Sequence, residues 1–348
     1  MLKNSILNEI IENEKLNPTR ISEVEEKVMA HGEISMRYSL EIIGEIENGG
    51  YSVYIALHGG GQSDTPELND SQWEIMKTYY KGSVKSGIYI APRGIRDTWN
   101  THFNPESYYF YRRLIQNMII FYGANPNKIY LLGYSAGGDG VYQITSRMAD
   151  FFAAANMSAG HPNGVDLTNV KNMKLYIQCG ENDSAYNRNE ETVRYGKNEN
   201  VEAAFLHKGK GHQIRDNSID DQQMTDNSVC DTNAIRLISR HERNPYPKNI
   251  TWNLSLKEDD LFYYIESDKN EGFVSVKFDD NNFTVEGEAT YLYMNEDFVD
   301  YERDVVIVHN GKKTTVKPVF DENVLRETFG KRFDKYLTFT YKVNLKEI

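Results

Sequence analysis

Ser135 is the residue on which chemistry is most readily built, because it sits inside Gly133-Tyr134-Ser135-Ala136-Gly137. Small residues on both sides of a serine permit a turn too tight for larger side chains. Such a turn lifts the hydroxyl above a sheet and aims the first N–H groups of the following helix at the same point. Upstream, His58-Gly59-Gly60-Gly61 exposes backbone N–H groups with no side chains in the way, which a developing oxyanion requires. Downstream, Gly180-Glu181-Asn182-Asp183 supplies carboxylates, and Lys208-Gly209-Lys210-Gly211-His212 supplies an imidazole. The order along the chain is serine, acid, histidine. Together these groups could perform nucleophilic acyl transfer.

Each of these groups needs an element to hold it. Lys128 to Leu132 is β-branched and apolar and reads as a buried strand entering the serine turn, while Val141 to Met148 reads as the helix leaving it. Tyr51 to Leu57 runs as a strand straight into the glycine triplet. Lys174 to Cys179 is the strand before the acid, and Val201 to His207 the strand before the histidine. Ala153 to Ser158 is a further strand, Gly87 to Gly94 is another with its exit loop, and Tyr108 to Phe121 has the period of a helix. Ile34 to Glu45 is the expected first strand. Strands alternating with helices predict an α/β fold with a mainly parallel sheet.

Other residues compete for the same roles. The chain holds eight histidines. His58 belongs to the glycine loop and is expected to brace it, His207 lies within a strand, and His241 precedes a domain boundary. His161 leaves the end of a strand, where ligands collect in open parallel sheets, and is expected as a substrate contact or plain loop structure. Glu181 and Asp166 are rivals of Asp183. Asp139, just past the serine turn, is expected to cap the helix that follows. The loop from Asp97 to Phe103 leaves the same end of the sheet, so Trp99, Asn100 and Tyr134 join His161 as candidate substrate-lining residues; a surface loop packed by its own tryptophan is the alternative.

With these motifs in this order, the stretch from Tyr51 to Arg240 resembles the α/β-hydrolase superfamily, nearest its esterase, polyester-depolymerase-like and prolyl-oligopeptidase-like branches. The resemblance implies an α/β-hydrolase sheet with helices on both faces and a serine hydrolase working through an acyl-enzyme. Ser135 would be the nucleophile, His212 the general base, and Asp183 the acid that orients the histidine. The N–H of Ala136, with one from Gly60 or Gly61, would bind the oxyanion. Such chemistry needs no cofactor or metal. The resemblance does not imply a substrate, because this fold carries many. A small-molecule ester or acylated compound is the expected one; a peptidase of the prolyl-oligopeptidase-like kind, or a non-catalytic binding module on this fold, are the alternatives.

The rest of the chain sets the surroundings. A formal net charge of -12 over 348 residues argues against nucleic acid or an anionic membrane as partners. No apolar run approaches membrane-spanning length. Cys179 and Cys230 make no disulfide framework, which together with an N-terminus lacking a continuous apolar core points to a cytoplasmic protein. The polar stretch from Asp216 to Asn233 is expected to be a loop beside His212, a lid or an insertion. From Ile250 onward, short alternating runs, an Asn310-Gly311 hairpin signal, a helix from Asn323 to Phe333 and a closing strand from Leu337 to Leu345 predict a small all-β sandwich-like domain. Leu261 to Glu266 is expected as one of these strands, and its aromatic run Leu261 to Tyr264 is expected in a core or at a docking face, with a carbohydrate-binding face as the alternative. The expected organisation is a helical lead-in at 1-33, a catalytic domain at 34-244 and the β domain at 245-348.

Overall fold

The computed structural model describes residues 2–62, 65–214, 231 and 234–348. Cys230 and, Asp231 apart, the polar stretch expected beside His212 lie outside the described residues. The chain divides into two compact units: Met1–Asn17 with Asn244–Ile348, and Pro18–Arg243. Residues 1–33, expected as one helical lead-in, divide between them. Helix α1 (Leu2–Lys15) belongs to the first unit, whereas helix α2 (Pro18–Glu26) and strand β1 (Val28–His31) belong to the second.

In the larger unit the chain continues through β2 (Ile34–Ile43), β3 (Tyr51–Leu57), α3 (Glu67–Tyr79), β4 (Gly87–Pro92), α4 (Ser107–Tyr122) and β5 (Ala124–Tyr134). It goes on through α5 (Ala136–Met148), β6 (Ala154–Ser158), β7 (Lys174–Gly180), α6 (Arg188–Tyr195), β8 (Val201–His207) and α7 (Ala234–Ile238). The strands form one eight-stranded sheet in the order β1-β2-β4-β3-β5-β6-β7-β8. Strand β2 is antiparallel to both its neighbours, and β3 to β8 run parallel. Ile34 to Glu45 is thus the second strand, not the first, because Gly32 in a left-handed turn (φ +59°) folds β1 back onto it.

Burial follows from position in the sheet. Strands β3, β4 and β6 are buried almost without interruption, as central parallel strands covered on both faces must be. Strand β8, at the edge, alternates half-buried and exposed residues. One core cluster joins Tyr54, Tyr89, Tyr130 and Tyr176 of the sheet to Trp73 and Met76 of α3 and Ile235 and Ile238 of α7. Strand β4 pairs on one side of β3 and β5 on the other, so chain order reverses at β3. The crevice beyond the carboxyl ends of β3 and β5 is where an open parallel sheet receives ligands. This mixed α/β unit, with its central sheet flanked by helices, has the architecture the α/β-hydrolase resemblance implied. Among the described residues no helix is long and apolar enough to cross a membrane.

The smaller unit holds β9 (Asn249–Asn253), β10 (Leu261–Phe262), β11 (Ile265–Glu266), β12 (Phe273–Asp279), β13 (Asn282–Gly287), β14 (Tyr291–Met294), β15 (Val305–His309), β16 (Lys312–Val316), helix α8 (Glu322–Arg332) and β17 (Tyr341–Asn344). Two sheets result, β10-β11-β14-β17 and β16-β15-β13-β12-β9, antiparallel except where β13 meets β15. Asn310 and Gly311 take φ of +48° and +81° at the β15–β16 hairpin, the double left-handed turn that Asn-Gly favours. Leu261 to Glu266 is two strands and not one, since Tyr263 (φ +54°) turns the chain between them. Its aromatic rings are core: Phe262 stacks on Trp252, and Tyr264 meets Phe283 and Phe298. The closing strand is confined to Tyr341–Asn344. Helix α1 lies against α8, with ion pairs Lys3–Asp297 (2.9 Å) and Glu9–Arg326 (3.2 Å).

Candidate active site

Strand β5 ends in a sharp corner at Ser135, whose backbone takes φ +57° and ψ -120°. Few non-glycine residues tolerate that conformation, and it is held by the Ser135 N–H donating to the Ser158 carbonyl of β6 at 2.9 Å. The flanking glycines are obligatory. A Cβ on Gly133 would stand 2.1 Å from the Gly137 carbonyl oxygen, and one on Gly137 would stand 2.1 Å from that of Leu57. Ala136 opens α5, so its N–H is among the first-turn donors without an intrahelical acceptor.

The loops after β7 and β8 bring an acid and an imidazole to this corner. Asp183 Oδ2 lies 2.7 Å from His212 Nδ1, and His212 Nε2 lies 3.1 Å from Ser135 Oγ. An ionised carboxylate only accepts, so Nδ1 carries the proton and Nε2 is left to accept the serine O–H. Asp183 is buried. Its N–H donates to the Gly180 carbonyl and its own carbonyl accepts from Asn189 N–H, both at 3.1 Å. The Cys179 thiol approaches Oδ2 at 3.7 Å, and burial with the Asp183 charge pushes that thiol up to about 12. Arg188 Nη1 stands 3.6 Å from Oδ1, near enough for Coulomb attraction but beyond a hydrogen bond. The Tyr134 hydroxyl donates to the His212 carbonyl.

The glycine loop after β3 is fastened from below. Gly94 N–H donates to His58 Nε2 at 3.0 Å, which leaves Nδ1 to donate to the Gly59 carbonyl at 2.6 Å. His58 thus braces the loop, and burial pulls its pKa down to about 4. Gly61 N–H donates to Asn69 Oδ1 at 2.8 Å, while Asn69 Nδ2 donates to the Gly61 carbonyl at 2.8 Å and to Asp97 Oδ1 at 2.7 Å. Of the two glycines expected to offer an oxyanion donor, Gly61 therefore has its N–H committed elsewhere. Gly60, the other, takes φ +106° and lines the cavity over Ser135.

A cavity of about 580 Å³ opens over Ser135. Gly60, Gly61, Ala136, Trp99 and His161 line it, as do Gln62, Asp139, Asn163, Tyr186, Asn187 and Arg188, which the sequence did not single out for this role. Asn100 and Tyr134 are not among the lining residues. The Asn100 carbonyl closes a turn by accepting from Phe103 N–H (2.9 Å) and Asn104 Nδ2 (3.0 Å). Asp139 is no helix cap: lying a turn inside α5, it accepts from His161 N–H at 2.7 Å and Asn163 Nδ2 at 3.3 Å, and burial raises its pKa. The rivals for acid and base have other partners. Glu181 accepts from Gly209 N–H, Asp166 from Thr168, His207 meets Gln178, and His241 meets the Tyr176 hydroxyl.

The central sheet, the strand–serine–helix corner at its switch point and the serine–acid–histidine chain order define a protein of the α/β-hydrolase fold. No protein-family model and no curated protein sequence matches the chain. Among solved structures, it is similar to a thermostable esterase at 17% identity and a TM-score of 0.45, with 62% of each chain covered, less than two thirds of that esterase's length. It is also similar to a ferulic acid esterase (15% identity, TM-score 0.36, 51% of this chain and 92% of that one). A third is Est1E from Butyrivibrio proteoclasticus (12% identity, TM-score 0.39, 53% and 89%).

Proposed function

We propose that this protein is a serine hydrolase that cleaves carboxylic esters through an acyl-enzyme. The observation that carries the reading is His212, hydrogen-bonded at one nitrogen to Asp183 and at the other to Ser135 Oγ, beneath a cavity that admits a ligand. Ser135 Oγ attacks the ester carbonyl as its proton passes to His212 Nε2. The tetrahedral oxyanion accepts from the N–H groups of Ala136 and Gly60. The C–O bond to the alcohol then breaks, and the alkoxide leaves with the proton from Nε2. Water, deprotonated by the same nitrogen, attacks the acyl carbonyl, and the acid departs as Ser135 regains its proton. Asp183 keeps the ring in the required tautomer and stabilises the imidazolium throughout.

A fluorophosphonate probe read by intact mass tests this. The expected result is one adduct on the wild type and none on Ser135→Ala, with labelling abolished in His212→Ala. Hydrolysis of 4-nitrophenyl butyrate should fall in both variants by on the order of 10⁴-fold or more. A folded wild type that neither labels nor turns over 4-nitrophenyl esters refutes the reading.

A further inference from the structure

The cavity over Ser135 contains a guanidinium whose hydrogen-bonding capacity is largely unused. Arg188 is the one permanent cation among the described residues that line it, and its side chain is only 12% exposed. A guanidinium carries five N–H donors. Here Nη1 reaches the Ala185 carbonyl at a long 3.5 Å and stands 3.6 Å from Asp183 Oδ1, while Nε is buried with no partner among the described residues. Asp183 gives it charge but no hydrogen bond, since Oδ1 stands 3.6 Å away and Oδ2 is engaged by His212. Asp139, across the cavity, accepts instead from His161 and Asn163. Removing a cation from water without completing its hydrogen bonds is costly, and part of that cost is recovered when a planar two-oxygen anion docks end-on across the two Nη groups, the buried Nε lying out of a ligand's reach.

The backbone around Arg188 is shaped to present it. Tyr186 and Asn187 adopt successive left-handed conformations, φ +56° and +59°, on a chain where neither is glycine. A tyrosine held there is strained, and such strain collects at binding sites. The turn sets the Tyr186 ring, itself 77% exposed, 5.0 Å from the Arg188 guanidinium carbon and so restrains the guanidinium.

We infer that Arg188 selects esters that carry a carboxylate, pairing with it through its free N–H groups while Ser135 attacks the ester carbonyl. The inference rests on the esterase reading for its kinetic consequence, but not for binding. An Arg188 that served only to steady Asp183 would affect neutral and anionic substrates alike.

The kinetic test compares the mono-4-nitrophenyl esters of glutarate, adipate and pimelate with 4-nitrophenyl esters of uncharged acids of matching length. Arg188→Gln should lower the anionic-to-neutral ratio of kcat/KM by about 10-fold or more, and Arg188→Lys, which keeps charge but loses the fork, by less. A ratio that Arg188→Gln leaves unchanged for all three chain lengths overturns the inference. The binding test uses calorimetry with the free dicarboxylates on Ser135→Ala protein, with and without Arg188→Gln. A Kd weakened about 10-fold by the second substitution supports the inference, and equal Kd values or absent binding overturn it. A wild type inert to every ester and to the fluorophosphonate refutes the esterase reading alone, because the binding test still decides the role of Arg188.

Discussion

Asn69 is fully buried and makes two hydrogen bonds to Gly61 with a single amide, gripping both the N–H and the carbonyl of that residue. It is in turn tied to Asp97, which Arg93 also holds, so the glycine loop rests on a chain of polar contacts and not on its own turn. On the esterase mechanism proposed above, Asn69→Ala should lower kcat for 4-nitrophenyl butyrate by about 10- to 100-fold with little change in KM, since displacing the glycine loop moves the proposed oxyanion donor at Gly60, which acts in the transition state alone. A rise in KM at constant kcat would show that Asn69 shapes ground-state binding instead. His58 and Asp231 give the molecule opposing pH responses. Burial lowers the His58 pKa from 6.5 to about 4, so between those values the unfolded chain binds the extra proton and stability is lost as pH falls. Asp231, buried and hydrogen-bonded by Tyr79 and Ser158, is raised from 3.8 to about 6, so over that window the native state binds the proton and stability is lost as pH rises. Asp231→Asn removes only the second response. Its melting temperature should therefore fall more steeply than that of the wild type between pH 6 and pH 4; parallel curves would contradict the assignment. Ser135, Asp183 and His212 were legible because each follows a strand with a glycine beside it. Asn69, Arg188 and Asp231 were not, because an amide on a helix and an arginine or an aspartate in a polar run of sequence carry no local signal. Asn69 and Asp231 meet partners far along the chain, Asp97 for the one and Tyr79 and Ser158 for the other, and Arg188 reaches the cavity through the left-handed turn at Tyr186 and Asn187.

At the scale of elements, the corner at Ser135 depends on how closely β5, β3 and α5 approach. Gly137 faces the Leu57 carbonyl so closely that a methyl group cannot enter without moving β3 or the helix. Gly137→Ala should destabilise the larger unit by roughly 3 kcal/mol or more and abolish fluorophosphonate labelling, read by denaturant unfolding and intact mass. Full labelling of a stable Gly137→Ala protein would mean that the corner relaxes. Buried strands were easily read, because continuous apolar runs between turn residues have few other uses. Elements set by one residue's backbone were not: Tyr263 breaks an apparent strand into a hairpin, and the short β1 is visible only as the partner of β2. The aromatic residues that persuade the eye of a single strand from Leu261 to Glu266 are buried on both arms of the turn, so hydropathy alone could not find the break.

At the scale of the whole molecule, chain order and compact units do not coincide. Ile6 and Leu7 of α1 are buried, and the helix lies against α8, more than 300 residues away in sequence, a pairing that no local pattern announces. Every group assigned to the chemistry and every described residue lining the cavity over Ser135 lies within Pro18–Arg243. Removing the β unit alone, by ending the chain at Arg243, leaves the apolar face of α1 without the helix that covers it. A chain of residues 1–243 should therefore aggregate more readily than one of residues 18–243, since α1 then presents Ile6 and Leu7 to solvent. The shorter chain should label with the fluorophosphonate at the rate of the intact protein and keep the same anionic-to-neutral preference. Size-exclusion chromatography and labelling kinetics on the two truncations separate these expectations. Equal solubility would remove α1 from the argument, and a shifted substrate preference in residues 18–243 would assign part of substrate selection to the unit formed by Met1–Asn17 and Asn244–Ile348.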